Sequence, residues 1–224
     1  MKFSADYVLY CNITTQVETD KHQDLLEKVG GEGFPHLVFM DSDGSVLATH
    51  EGARDAEGFA KTGGKAKAFV SLRDKAAAGD AAAKIDFLAA QMELGKVSEE
   101  EADKRLKELG KLSPEQEKKF AALKSGAAVK ATLAAIRDEN GAEEAGRKFL
   151  EMKKAGRPEP LGDAEVQPYW ILMMQVAEKQ KDVATFEEAL KALKARFGKV
   201  EEAQEFFKNS DKTLLELKAG KKKE

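Results

Sequence analysis

The sequence has a single cysteine, Cys11, among 224 residues. A lone thiol excludes an internal disulfide. It also excludes, for this chain acting alone, any exchange that needs a second thiol to resolve a mixed disulfide. Histidine is scarce too: His22, His36 and His50 are all there is. Their spacing offers no His-x-x-x-His pair, and no further cysteine supplies a zinc-type ligand set. No stretch approaches the roughly 20 consecutive apolar residues that a membrane-spanning helix needs. Residues 1–6 lack the apolar core of a secretory signal, so the sequence as it stands predicts a cytoplasmic protein, and an upstream leader would change that expectation. An excess of one charge is missing as well. With 37 basic and 40 acidic residues the net charge is -3, which argues against nucleic acid or a membrane surface as a general partner. What is present is 42% hydrophobic and 34% charged residues, the composition of a globular, helix-rich chain long enough for one or two domains.

The first 64 residues read as α/β. Asp6-Tyr7-Val8-Leu9-Tyr10-Cys11-Asn12-Ile13 is rich in β-formers and predicts a buried strand. Residues 14–19 are polar and predict a loop. Asp20 is placed to cap a helix reaching residue 29, with Leu25, Leu26 and Val29 on one face and Gly30-Gly31 as its stop. The apolar run Leu37-Val38-Phe39-Met40 has the pattern of a strand buried on both faces. Asp41-Ser42-Asp43-Gly44 supplies turn chemistry, and residues 45–49 read as the returning strand. A strand–helix–strand order predicts a parallel pair with a right-handed crossover. A short helix containing Phe59 follows, ending at Gly63-Gly64.

From Lys65 onward the hydrophobic period becomes 3.6. Residues 65–75 and 80–94 predict helices, the second with Ile85, Leu88, Ala89 and Met92 on one face. Ser98-Glu99-Glu100-Glu101 and Ser113-Pro114-Glu115-Gln116 read as capping boxes, the latter with proline at the first helical position. Helix is expected from 114 to 139 with an interruption near Gly126, then over 142–155, 168–180, 183–197, 200–208 and 214–218. Arg157-Pro158-Glu159-Pro160-Leu161-Gly162 is a loop, and Lys221-Lys222-Lys223 a tail. The expected architecture is therefore α/β plus all-α, with a boundary between residues 1–64 and 65–224. Thr185-Phe186-Glu187-Glu188-Ala189-Leu190-Lys191-Ala192-Leu193 resembles half of a tetratricopeptide repeat, although no strict period of about 34 residues recurs. Antiparallel helical pairs in a bundle or repeat-like array are the expectation.

Gly33-Phe34-Pro35-His36, followed by the apolar run, the Asp-x-Asp-Gly turn and the returning strand, resembles the second half of the thioredoxin fold. The resemblance covers roughly residues 6–62. It implies a cis proline at Pro35 beside an active-site wall, and a peptide-docking edge at Phe34, Pro35 and His36, where an extended partner adds to the sheet. The family's Cys-x-x-Cys is absent, as is the central strand that carries it. The sheet implied by the resemblance therefore has a gap. Either the strands matched by residues 7–13 and 37–40 close up, or a second chain fills the slot by self-association, or an upstream region supplies the missing strand and dithiol.

Other candidate chemistry is weak. Cys11, inside a predicted strand with Leu9 and Ile13 on its face, reads as a core thiol. The three histidines with Asp41, Asp43 or Glu51 read as rim residues rather than metal ligands. Asp41-x-Asp43-Gly44 lacks the downstream glutamate of a calcium loop. Tyr169-Trp170-Ile171-Leu172-Met173-Met174 reads as core, and the alternating charges of 99–119 as a solvated helix face. The functional expectation is a redox-inactive protein that binds protein or extended peptide partners, with no catalytic residues, no cofactor and no metal. The alternatives are the C-terminal portion of a thiol–disulfide oxidoreductase whose dithiol lies upstream, and a purely structural bundle.

Overall fold

The computed structural model describes residues 7–12, 19, 21–31 and 33–220. The expectations for residues 1–6, Ile13, the loop over 14–18, the cap at Asp20 and the tail at 221–223 lie outside them. Among the described residues the chain carries nine α-helices and one two-stranded sheet. It divides into two compact units, the first ending at Gly110 and the second starting at Lys111. The change of hydrophobic period at residue 65 falls inside the first unit, so α/β segment and early helices cluster together.

In the first unit a single helical turn, α1 (Leu25–Lys28), precedes the hairpin β1 (Val38–Met40) and β2 (Val46–Thr49). The strands are antiparallel, pairing Val38 with Thr49 and Phe39 with Ala48, with a register shift after Phe39. A turn closes them: Asp41 and Ser45 are bonded through Asp41 N–H to Ser45 C=O at 2.9 Å, and Gly44 takes φ +85°, a conformation that costs glycine little. β1 is half-buried throughout rather than buried on both faces, and in β2 only Ala48 is buried.

Several expectations are corrected here. The described part of the first predicted strand, residues 7–12, forms no strand, and Cys11 is exposed. No parallel strand–helix–strand unit forms among the described residues, and residues 7–12 do not pair as a strand with β1. β-propensity alone cannot hold a strand when no ladder neighbour is at hand. The helix expected to reach residue 29 is only four residues long.

Helix α2 (Ala56–Ala77) runs straight through Gly63-Gly64 instead of stopping there. Its N-cap, Asp55, accepts a hydrogen bond from the Gly58 N–H at 2.7 Å. Gly63 faces Tyr7 and the hairpin: a Cβ there would lie 2.8 Å from the Tyr7 hydroxyl and 3.5 Å from the Phe39 ring. Helices α3 (Ala81–Glu93) and α4 (Glu99–Leu109) follow, capped by Asp80 and Ser98. Ala66, Phe69, Ile85, Leu88, Ala89, Val97 and Ala102 form the buried interior of this unit.

The second unit is helical throughout: α5 (Pro114–Ala134), α6 (Glu139–Lys154), α7 (Asp163–Lys179), α8 (Val183–Phe197) and α9 (Gln204–Gly220). The capping box at Ser113 and Gln116 is formed as expected, with Pro114 opening α5. The helix passes Gly126 without interruption and ends at Ala134. Pro168 does not open a helix but sits inside α7. The two helices expected over 200–208 and 214–218 are the single helix α9, preceded by a 3-10 turn at Glu201–Ala203. Consecutive helices α6, α7, α8 and α9 pack in sequence order. Their shared core holds Phe149, Tyr169, Trp170, Met173, Phe186, Leu190, Leu193 and Phe207, so the Tyr169–Met174 run is core as expected. Gly146 lets α6 approach α7 closely: a Cβ there would lie 2.5 Å from the Leu172 carbonyl oxygen. A bundle of sequentially packed helices is the coarse architecture. No helix among the described residues is long and apolar enough to cross a membrane.

Candidate docking edge at the hairpin

The segment before β1 is built around His36. Its Nε2 lies 3.3 Å from the Val29 carbonyl oxygen. A carbonyl can only accept, so this ring nitrogen carries the proton and donates. The ring also fills the space over Gly31, where a Cβ would meet His36 Cγ at 2.9 Å and Leu26 Cδ1 at 2.3 Å. The α1-to-β1 connection is thereby pinned by one side chain. Phe34, in contrast, is 71% exposed, and the Phe34–Pro35 bond is cis. The three predicted site residues thus divide by position: His36 faces the fold, Phe34 faces solvent, and Pro35 joins them.

The strand that follows has an outward edge. His50 N–H donates to the Leu37 carbonyl at 2.8 Å, which makes Leu37 and His50 a hydrogen-bonded pair. Bonded and non-bonded pairs alternate in an antiparallel ladder. Val38, opposite Thr49, therefore turns its N–H and C=O away from β2. Among the described residues the sheet has no third strand. This main-chain edge was invisible in the sequence, because only the register fixes which residues point outward.

The far end of the hairpin is rigid and charged. Arg73 Nη1 of α2 binds Asp41 Oδ2 at 2.6 Å, and the Ser42 N–H donates to Asp41 Oδ1 at 2.8 Å. The Arg73 hydrogen bond, seconded by Ser42, holds the Asp41 carboxyl below its ordinary range. The Ser45 N–H does the same for Asp43. Asp41 is thus engaged by Arg73 and by the turn, and Asp43 by the turn. Lys96 lies 5.1 Å over the Phe69 ring, and burial pushes its ammonium below the usual lysine range.

The histidines do not converge. His50 Nδ1 lies 2.8 Å from Thr62 Oγ1, and that hydroxyl donates to the Gly58 carbonyl at 3.2 Å. The hydroxyl proton being used, His50 Nδ1 is the donor. The ring stacks on Phe59 at 4.4 Å, and its buried Nε2 meets no partner among the described residues. His22 packs edge-on to Tyr10 at 6.5 Å. Among the described residues no three His, Cys, Asp or Glu side chains gather as a metal would require.

A shallow cavity of about 220 Å³ lies between α2, α3 and α4, with Lys84 and Arg105 at its lip and Phe87 and Leu88 in its wall. Arg105 is held by Glu101 at 2.8 Å. Compared with protein-family models, curated proteins and solved structures, the chain matches none.

Proposed function

We propose that the chain is a non-catalytic protein-binding or peptide-binding protein, and that its first unit carries a thioredoxin-like hairpin in which Phe34, Pro35 and His36 form the docking site. The observation that carries this reading is the outward main-chain edge of Val38, preceded four residues earlier in the chain by the exposed Phe34. An extended peptide adding to that edge gains main-chain hydrogen bonds, and an apolar side chain of the peptide rests on Phe34. His36 holds the segment in place from below. This sequence has one cysteine, and the task proposed for the edge is binding.

The test selects peptides from a random phage-displayed library on the immobilised full chain and then titrates the synthesised winners in solution. Phe34→Ala weakens binding at least about tenfold, as expected for an aromatic anchor. His36→Ala weakens it through loss of the pinned loop. If both variants bind with unchanged affinity, the docking site is elsewhere. Insulin reduction by the chain is nil, and measurable dithiol turnover would refute the non-catalytic reading.

A further inference from the structure

The cavity between α2, α3 and α4 is lined by none of the residues assigned to peptide docking. Lys84, Leu88 and Gln91 follow one another at helical spacing and share a face of α3, as Arg105, Glu108 and Leu109 do on α4. Between these faces the fold leaves about 220 Å³. The wall is apolar: Leu88 is buried, Phe87 and Leu109 are half-buried, and the Phe87 ring is steadied by Phe69 at 5.1 Å. A cavity of about 150 Å³ holds benzene, so this one has room for an aromatic ring with a short side chain.

The rim is rich in donors that nothing in the fold uses. Lys84 makes no ion pair or side-chain hydrogen bond among the described residues. Asp80, one turn before it, has Oδ1 taken by the Ala83 N–H at 3.0 Å. Arg105 spends Nε on Glu101 at 2.8 Å and Nη1 on Gln91 Oε1 at 3.3 Å, and its Nη2 meets no partner among the described residues. With its oxygen taken, Gln91 has only its amide nitrogen left to offer. Three donors thus line the cavity against one acceptor without a partner among the described residues, Glu108.

We propose that this cavity binds a small aromatic monocarboxylate. A carboxylate only accepts hydrogen bonds, through two oxygens, which matches the unused donors of Lys84, Arg105 and Gln91. Its bonds to the two cations are charge-assisted. The ring of the ligand covers Phe87, Leu88 and Leu109 and removes apolar surface from water. Glu108 sets the selectivity: it repels a second carboxylate, so one acid group is admitted and two are not. The site is shallow, so the affinity is modest, with a dissociation constant on the order of 1 mM. The proposal stands whether or not Phe34 docks a peptide.

The experiment titrates the full chain with 3-phenylpropanoate to about 20 mM, well above the expected dissociation constant, and follows backbone amide shifts by NMR. Saturable shifts centred on α3 and α4 are expected. The neutral 3-phenylpropanamide and the dicarboxylate phenylsuccinate bind at least about threefold more weakly. Lys84→Gln, at an exposed position, weakens 3-phenylpropanoate at least about threefold, and unchanged shifts in the other helices show that the variant is folded. Glu108→Gln tightens phenylsuccinate by a similar factor. The absence of saturation, or saturable shifts elsewhere in the chain, overturns the proposal. So does an amide that binds as well as the acid, or a Lys84→Gln loss of less than threefold. Tighter binding of 3-phenylpropylamine would assign the cavity to a cation held by Glu108 and also overturns it. Phenylsuccinate unaffected by Glu108→Gln overturns the selectivity. None of these readouts involves Phe34, so failure here and failure of peptide docking are told apart.

Discussion

Gly146→Ala is a sharp probe of how the second unit is held together. In an isolated helix the change would stabilise by about 1 kcal/mol, because alanine loses less backbone entropy. Here the added Cβ would sit 2.5 Å from the Leu172 carbonyl oxygen and 2.7 Å from Val176 Cγ2. Ordinary contact begins near 3.4 Å, so α6 and α7 must part by roughly 0.9 Å. The obstacle is helix backbone, which cannot rotate aside as a flexible side chain does. Parting the helices loosens Phe149 and Tyr169, whose rings lie 5.4 Å apart in the core. Overpacking of this kind costs about 3 kcal/mol at the upper end of the usual range, leaving a net loss of about 2 kcal/mol after the propensity gain. For a unit of this size that lowers the melting temperature by about 8 °C. Thermal unfolding followed by circular dichroism reads the shift. Gly64→Ala is the control: it too lies in mid-helix, but nothing is within 4 Å of its added Cβ, so it is expected to stabilise by about 0.5–1 kcal/mol. A Gly146→Ala protein that melts at or above the parent temperature would refute the close-approach argument.

Other perturbations test other joints. Burial, with Glu159 and Glu188 nearby, pushes the Tyr169 hydroxyl up to about 12 from an ordinary 10.0. The folded state thus keeps a proton that the unfolded chain releases, so stability is fully present below pH 10 and falls as pH rises toward 12. Tyr169→Phe flattens that alkaline decline, measured by urea unfolding across the range. Asp41 is depressed by Arg73, so its contribution is present above the ordinary carboxylate range and lost as pH falls through it. Asp41→Asn therefore lowers stability at neutral pH and reduces its acid dependence. Thr62→Val removes the acceptor for His50 Nδ1 and leaves a second ring nitrogen without a partner, at a cost of about 1–3 kcal/mol. A Thr62→Val protein as stable as the parent would show that the His50 contact is idle.

Much of the helical unit could be read from local chemistry. Ser113, Pro114 and Gln116 announce a helix start because capping is satisfied within a few residues, and the structure forms that box. The hairpin turn at Asp41–Gly44 was legible for the same reason. The misreadings have a common cause. Gly63 and Pro168 look like breakers locally, yet the first makes room for Tyr7 and the second lies inside α7, where tertiary packing outweighs its local cost. Residues 7–12 look like a strand, but a strand exists only with a ladder neighbour. Of the site, Phe34, Pro35 and His36 were visible as a motif. The division between an outward Phe34 and an inward His36 was not, since it depends on Val29 and Gly31. The Val38 edge and the His50–Thr62 contact arise from register and long-range packing, which no window of the sequence contains.

The account rests on the main-chain edge of β1 as the place where a partner adds. Amide hydrogen exchange at Val38, with and without a saturating selected peptide, measures it most directly. The account predicts that Val38 exchanges readily in the free chain and is slowed at least about tenfold by the peptide, while helices of the second unit are unchanged. Protection that appears only among α5–α9, with Val38 unaffected, would contradict it.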